Sequence, residues 1–225
     1  NFGVEPEDGV IHFATHLLAE FQAKEALPAI CESLSLTEDQ CYDCIYGSSL
    51  SEALHGILYR LIGDDLSFYD QRLRDATTPS VLRSRLLATL PYLVKAGVLA
   101  SDEYFDLIAE YLRIAIDEKN EKFVTDIICD IHCSENPKYW PLAKEAFDKE
   151  LVEEEIISRA GVEADLHGKP RFGPLGMQYL LPKSDFSDTI TELSWWAWFH
   201  PEPKEMESLN PAPRKVINVS DDPSV

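Results

Sequence analysis

The sequence is poor in positive charge, and this restricts the partners that it could bind. Its 225 residues include 20 Lys and Arg side chains against 40 Asp and Glu, a formal net charge of −20. A field of this sign repels phosphate, and basic residues form no stripe along the chain, so the composition argues against nucleic-acid binding and anionic membranes. We therefore expect no direct nucleic-acid contact and a protein partner with a basic surface.

Long apolar runs and an even set of cysteines are also missing. No stretch approaches the roughly 18 apolar residues of a membrane-spanning helix, so we expect a protein that does not span a membrane. Five cysteines are an odd number in a chain larger than a disulfide-stapled domain, which favours free thiols. The expected location is the cytoplasm or another reducing soluble compartment, or an organelle stroma if a targeting segment once preceded Asn1.

Strand-like alternation is nearly absent, whereas one helical pattern recurs four times. In each copy bulky residues occupy positions i, i+4, i+5 and i+8, which lie on one face of a helix, and position i+6 is small. The copies start 37, 32 and 41 residues apart, a spacing typical of stacked helix pairs. The bulky positions are Phe13, Leu17, Leu18 and Phe21; Leu50, Leu54, His55 and Leu58; Leu82, Leu86, Leu87 and Leu90; and Phe123, Ile127, Ile128 and Ile131, and the small ones are Ala19, Gly56, Ala88 and Cys129.

A second helix is predicted after each copy, over residues 27–34, 67–76, 102–116 and 141–147. Ser35 with Glu38, and Ser49 with Glu52, have the spacing of capping boxes and so indicate helix starts. Gly63 lies where a helix should end. Together these features predict an all-α fold, namely a right-handed HEAT-like α-solenoid of about four helix pairs with an extended C-terminal arm.

The composition changes towards the C-terminus and divides the chain into three predicted parts. We expect a helical repeat domain over residues 1–165 and an arm with a terminal helix over 166–200. Six glycines and prolines between positions 167 and 182 would interrupt a helix there. Residues 201–225 hold five of the chain's 14 prolines, so we expect this tail to be disordered or bound to a partner.

A cluster of large aromatic residues lies near the end of the predicted arm. Trp195, Trp196, Trp198 and Phe199 fall within five residues, and they cannot all face one side of a helix. Some of them must meet a second surface, which is either the last helical repeat or another protein. We name these four residues as the candidate partner-binding site.

Three segments carry a combination of motifs that is unusual. They are the run Phe-Ala-Thr-His-Leu-Leu-Ala-Glu-Phe at 13–21, residues 46–54 followed by Leu-Ile-Gly-Asp at 61–64, and Ala-Phe-Asp-Lys-Glu-Leu-Val at 146–152. Together they resemble a known bacterial family, the domain-of-unknown-function 1186 family. The resemblance covers roughly residues 8–165. It implies a HEAT-like helical array whose biochemical role is not established.

Cysteine and histidine residues give the sharpest alternative to a binding protein. Cys41 and Cys44 form one pair, and Cys129 and Cys133 with His132 form another, so two pairs could complete a tetrahedral zinc site. Buried structural cysteines are the more common explanation. A cysteine nucleophile with His132 as its base is disfavoured, because adjacent residues on a helix point to different sides.

Three other histidines have plain structural interpretations. His12 and His16 share a helix face, but the glutamate of a metalloprotease helix is not between them, so we expect solvated or capping roles. His55 replaces a leucine in the second copy of the pattern. We interpret it as a hydrogen-bonded core residue and not as a ligand or a catalyst.

The combined prediction is a non-enzymatic scaffold or assembly subunit, without a cofactor, that belongs to a larger complex. It binds a protein through the concave face of the solenoid, the Trp-rich region or both. A metal protein or enzyme that uses the Cys/His cluster is the alternative, and an acidic mimic of nucleic acid is a weaker one. For stability, we expect Leu86→Asp to unfold the array and Arg83→Asp, off the apolar stripe, to be mild.

Overall fold

Helices make up the regular structure, as the sequence predicts. The computed structural model describes residues 8–47, 49–168 and 176–194, and in these ranges it contains no β-strand, which confirms the all-α class. The α-helices are α1 (Asp8–Glu20), α2 (Leu27–Ser33), α3 (Glu38–Cys41), α4 (Ser49–Glu52), α5 (Leu54–Ile62), α6 (Leu66–Arg74), α7 (Ser80–Leu87), α8 (Leu90–Lys95), α9 (Ser101–Glu118), α10 (Glu121–Ile131), α11 (Trp140–Asp148), α12 (Arg159–His167), α13 (Gly176–Leu180) and α14 (Thr189–Leu193). Short 3₁₀ turns at Lys24–Ala26, His132–Ser134 and Pro137–Tyr139 and a π-helical turn at Tyr42–Tyr46 complete the helical elements.

The predicted second helices correspond to α2, α6, α9 and α11, and every boundary agrees within two residues. Gly63 ends α5 with a φ of 75°, a conformation that glycine adopts without strain. The capping box predicted for Ser35 and Glu38 is wrong. It lies two residues further on, where the Gln40 N–H donates to Thr37 Oγ1 at 3.3 Å and the Thr37 N–H donates to Gln40 Oε1 at 3.2 Å.

The apolar pattern is buried in three of its four copies. All bulky positions of the third and fourth copies are buried, and in the second copy His55 is half-buried while its three leucines are fully covered. The first copy contradicts the prediction, because Phe13, Leu17 and Phe21 are exposed. The pattern therefore identifies the core side of α5, α7 and α10 but not that of α1.

The helices that carry the four copies contact one another in sequence order. Helix α1 packs against α5, α5 against α7, and α7 against α10. Of the second helices, α6 packs against α9 and α9 against α11. Burial of the apolar stripes between these neighbours supplies the main stabilisation of the fold, at about 25 cal/mol per Å² of apolar surface.

Arg83 occupies a place in the core that its sequence position does not indicate. It is the largest fully buried side chain in the described part of the chain, and its guanidinium forms an ion pair with Glu118. Its Cζ also lies 4.2 Å from the centre of the Phe123 ring. The premise of a mild Arg83→Asp, an arginine away from the core, is therefore wrong, and we now expect this substitution to be strongly destabilising because a carboxylate there would be buried beside Glu118.

Towards the C-terminus the chain divides into two compact units, Asn1–Thr189 and Ile190–Val225. Within the predicted arm, α13 is helical and residues 181–188 are not. The predicted boundaries at 165/166 and 200/201 stay predictions. None of the helices in the described ranges is long and apolar enough to cross a membrane.

Candidate functional site

The predicted partner-binding residues Trp195, Trp196, Trp198 and Phe199 lie outside the described residues. Among the side chains of residues 10–194 that the structure places, two groups are candidate sites, namely the cysteine–histidine cluster and the outer face of α1.

Cys133, His132 and Asp165 form a row in the order of a Cys–His–Asp catalytic triad. Cys133 Sγ lies 3.5 Å from His132 Nε2, and His132 Nδ1 lies 3.0 Å from Asp165 Oδ2. The prediction that Cys133 and His132 diverge is wrong, because α10 ends at Ile131 and the next three residues form a tighter 3₁₀ turn. Asp165 comes from α12, 33 residues later, so sequence spacing gives no signal for it.

The electrostatics of this row oppose a nucleophilic cysteine. Burial raises the pKa of the Cys133 thiol to about 12, with further upward contributions from Asp130, Asp165 and Cys129. The thiolate is the nucleophile, so a cysteine protease or transferase needs this pKa shifted in the opposite direction. The cysteine is also only 2% exposed, which denies access to a substrate. The row therefore serves packing and hydrogen bonding in this geometry.

A zinc site is not formed by the side chains that the structure places. Among them, no group of three His, Cys, Asp or Glu is arranged to hold a metal ion. Cys41 is buried, with its Sγ 3.6 Å from the Ser33 carbonyl oxygen, and the side chain of Cys44 lies outside the described set. These contacts are those of a small buried residue.

The three histidines have structural surroundings. His16 is buried, and its Nδ1 donates to the His12 carbonyl at 2.7 Å, whereas His12 Nδ1 shares a 2.9 Å hydrogen bond with the Ser49 hydroxyl. The solvated role expected for His16 is therefore wrong. Burial, with a smaller contribution from Arg85, lowers the pKa of His55 to about 4. His55 is thus neutral at physiological pH, as expected of a core histidine.

Helix α1 presents its apolar face outwards. Val10 is 64% exposed, Leu17 37% and Phe21 72%, and Ala14 is exposed between them. At 3.6 residues per turn these four side chains lie within about 60° of one another. Phe21 lies one residue past the helix, but its N–H donates to the Leu17 carbonyl and so continues the turn. We call these four residues the α1 stripe.

The opposite face of α1 is buried although it is more polar. It carries Thr15, His16 and Ala19, which are at most 7% exposed. The polar groups bond back to the helix itself, since Thr15 Oγ1 donates to the Ile11 carbonyl at 2.9 Å. These hydrogen bonds lower the cost of burying this face, and the apolar face is left for the surface.

The N-terminal part of the sequence, which includes α1, is acidic. Residues 1–59 contain ten Asp and Glu but one Lys or Arg, Lys24, which gives a formal charge of −9. Arg60 adds a positive charge at the C-terminal end of α1, where its guanidinium donates to the Ala19 and Glu20 carbonyls at 3.3 Å. The π-helical turn Tyr42–Tyr46 packs against α1, and beside it is an open pocket of about 260 Å³. The pocket is lined by Glu38, Asp39, Tyr42, Asp43, Leu50, Ser51 and Arg85. Glu38 is paired with Arg85 and Lys122, and within the described residues Asp39 and Asp43 form no ion pair.

Comparison with known proteins identifies the family. The model of a protein of unknown function (DUF1186) matches residues 4–200, which is most of the chain. The chain belongs to the DUF1186 family. This confirms the resemblance found in the sequence, and the match extends beyond residue 165 to include the arm.

Two proteins of Chlamydia are similar to the chain. A protein of Chlamydia muridarum (strain MoPn / Nigg), described as an uncharacterized protein, is 27% identical over 187 residues, covering 82% of this chain and 73% of the relative. A protein of Chlamydia trachomatis serovar D with the same description is also 27% identical over 187 residues, covering 82% and 72%. No solved structure matches the chain. Membership of DUF1186 thus assigns no activity, and function must be argued from the molecule itself.

Proposed function

We propose that this DUF1186 protein is a protein-binding scaffold that docks a basic amphipathic helix of a partner on the α1 stripe. The observation that carries the proposal is the inverted orientation of α1, whose exposed face is the apolar one. Contiguous apolar surface on a soluble domain marks interaction sites more often than isolated exposed residues do. A partner helix with apolar residues at i, i+3 and i+4 would match a stripe of this width.

The charge of the surrounding elements favours a basic partner. The formal charge of −9 over residues 1–59 would attract Lys and Arg side chains that flank the partner's apolar face. The pocket beside Asp39 and Asp43 offers carboxylates that Lys and Arg could approach. Apolar burial would then provide affinity, while the charges would raise the association rate and select the partner.

The order of helix contacts supports the second part of the proposal, a right-handed HEAT-like solenoid. In such a fold each helix pair contacts its neighbours, so first helices and second helices form two separate layers. The contacts from α1 through α5 and α7 to α10, and those from α6 through α9 to α11, follow this order. The concave face of the solenoid and the aromatic residues at 195–199 stay predicted as further contact surfaces.

Site-specific photo-crosslinking tests the docking proposal in cells. A benzoylphenylalanine at position 21 replaces an exposed aromatic residue, and the same amino acid at Ile156, which is 61% exposed, provides a matched control. We expect position 21 to capture a defined peptide with net positive charge and helical apolar spacing, and position 156 not to capture it. The double variant Leu17→Ser, Phe21→Ser should reduce the affinity for the captured partner at least about tenfold, whereas Ile156→Ser should leave this affinity unchanged.

The outcomes separate the proposal from its competitors. An acidic captured peptide, or equal capture from positions 21 and 156, would show that the stripe does not select a basic helix. Captured peptides from the phosphate-binding surface of a nucleic-acid-binding protein would instead favour the acidic mimic. Unchanged partner affinity in the Leu17→Ser, Phe21→Ser variant would place the contact elsewhere on the molecule.

A further inference from the structure

Residues 182–189, which we call the strap, cross three helices; residues 182–188 form no regular structure, and Thr189 begins α14. At one end Lys95 Nζ, on α8, donates to the Pro182 carbonyl at 3.0 Å. At the other end the Thr189 N–H donates to Glu20 Oε2, on α1, at 3.0 Å. Between these two ties Phe186 is buried against α5. The strap thus connects α1, α5 and α8.

Phe186 fits a socket that depends on the absence of a side chain at Gly56. A Cβ built on Gly56 would lie 2.1 Å from Phe186 Cδ2, which is far inside van der Waals contact. The rings of His16 and His55 flank Phe186, with centroids 5.8 and 6.3 Å away. The same Cβ would lie 2.6 Å from the Tyr92 hydroxyl on α8, so the small residue of the second copy admits both this ring and a neighbouring helix.

Phe186 is the apolar side chain that the strap buries most deeply. Within residues 182–189, Phe186 and Thr189 are the buried positions, and the other positions are half-buried or exposed. Hydrogen bonds inside the strap run from the Phe186 N–H to Ser184 Oγ and from the Ser187 N–H and Oγ to Asp185 Oδ1. Phe186 also has a φ of 54°, which is unfavourable for a bulky residue and must be offset by its burial. Phe186 is therefore the main apolar anchor of the strap.

We propose that the strap is a latch, which opens as a unit when Phe186 leaves the socket while the helices stay folded. Opening would uncover His16 on α1 and the groove over Gly56 on α5. Segments with few buried contacts and local hydrogen bonds open well below the free energy of global unfolding. This inference does not depend on the proposed docking of a partner.

Hydrogen–deuterium exchange on the full chain tests the latch with two variants that act from opposite sides. Phe186→Ala removes the anchor, and Gly56→Ala blocks the socket while raising the helix propensity of α5. Lys183→Ala, at an exposed strap position, is the matched control. We expect strap amides to exchange about tenfold to a hundredfold faster in both variants, at unchanged protection of α9 and α10. Tryptic cleavage after Lys183 should accelerate in parallel in Phe186→Ala and Gly56→Ala.

Each other result would overturn the proposal. Strap amides that exchange without protection in the wild type would show that no latch is closed. Unchanged strap protection in both variants would show that Phe186 is not its anchor. Loss of protection in α5, α9 and α10 together with the strap would make Phe186 an ordinary core residue.

Discussion

Replacing Arg83 by methionine tests the role of a buried charge in this fold. Met preserves much of the length and apolar volume of the arginine stem but removes the guanidinium. In the structure Arg83 Nη1 lies 2.5 Å from Glu118 Oε2, and Nη2 lies 3.3 Å from Oε1, so the pair is bidentate. Arg83 Nε donates to the Leu73 carbonyl at 2.9 Å, which is in the last turn of α6 and has no helical partner of its own. One side chain thus pairs with Glu118 on α9 and caps the C-terminal end of α6.

The expected cost follows from what the substitution leaves behind. Breaking a buried ion pair by removing one partner typically costs about 3–5 kcal/mol. The Glu118 side chain is 20% exposed, so water can solvate it in part, and we reduce this contribution to about 2–3 kcal/mol. An unpaired Leu73 carbonyl adds about 1 kcal/mol or more. We expect a total loss of about 3–4 kcal/mol, a large part of the 5–15 kcal/mol that stabilises a typical domain.

Urea unfolding followed by circular dichroism at 222 nm measures this loss. Arg113→Met is the matched control, since Arg113 is an exposed arginine on α9 and its substitution should change stability by about 0.5 kcal/mol or less. Combining Arg83→Met with Glu118→Gln removes the stranded carboxylate. The double variant should therefore recover about 1–2 kcal/mol relative to Arg83→Met alone.

Two results would refute this reasoning. If Arg83→Met and Arg113→Met cost the same, the guanidinium contributes nothing beyond its apolar stem. If Glu118→Gln does not improve Arg83→Met, the stranded charge is not the source of the loss. A changed m-value would indicate that the variants alter the compactness of a state and do not report the ion pair.

Further predictions concern titration, reactivity and metal content. Burial raises the pKa of Asp130 to about 7, so the folded state binds this proton more tightly than the unfolded state does. The resulting contribution to the free energy of unfolding is lost as pH rises from about 4 to 7. In Asp130→Asn this decrease should disappear from the urea midpoints. His55, with a pKa of about 4, has the opposite slope, so His55→Gln should reduce the destabilisation seen as pH falls from 6.5 to 4. Iodoacetamide should alkylate Cys133 at pH 7.5 at least about a hundredfold more slowly in the folded protein than in urea, and comparable rates would indicate an activated thiol. Elemental analysis should find no stoichiometric zinc. If it finds about one metal ion per chain, and this metal is lost in the Cys41→Ser, Cys44→Ser variant, the metal-protein alternative is supported.

Local signals in the sequence predicted the helices well because they act over a few residues. Glycine at the end of α5 and the periodic leucines of α7 have physical effects that do not depend on the rest of the chain. The sequence places the capping box two residues early, since several hydroxyl, carboxylate and amide residues in this segment have compatible spacing. Choosing between them requires the backbone conformation of Thr37, which is extended with a ψ of 160°.

Long-range pairings were beyond the same reasoning. Arg83 pairs with Glu118, 35 residues away, and His132 with Asp165, 33 residues away. A buried arginine on an apolar helix has the same local sequence as an exposed one, and only the carboxylate that meets it makes burial tolerable. Helical periodicity therefore identifies a core face but not the polar residues that the core can accept.

The orientation of α1 shows why the candidate site needed the structure. Periodicity alone assigns its more apolar face to the core, yet Thr15 and His16 are buried and Leu17 and Phe21 are exposed. Thr15 and His16 can be buried because their polar atoms bond to carbonyls of their own helix, which lowers the cost of desolvation. Once the polar atoms of this face are hydrogen-bonded in this way, either face of α1 can pack against α5. A helix that hides its polar side leaves its apolar side in water, and that cost is the physical basis for expecting a partner there.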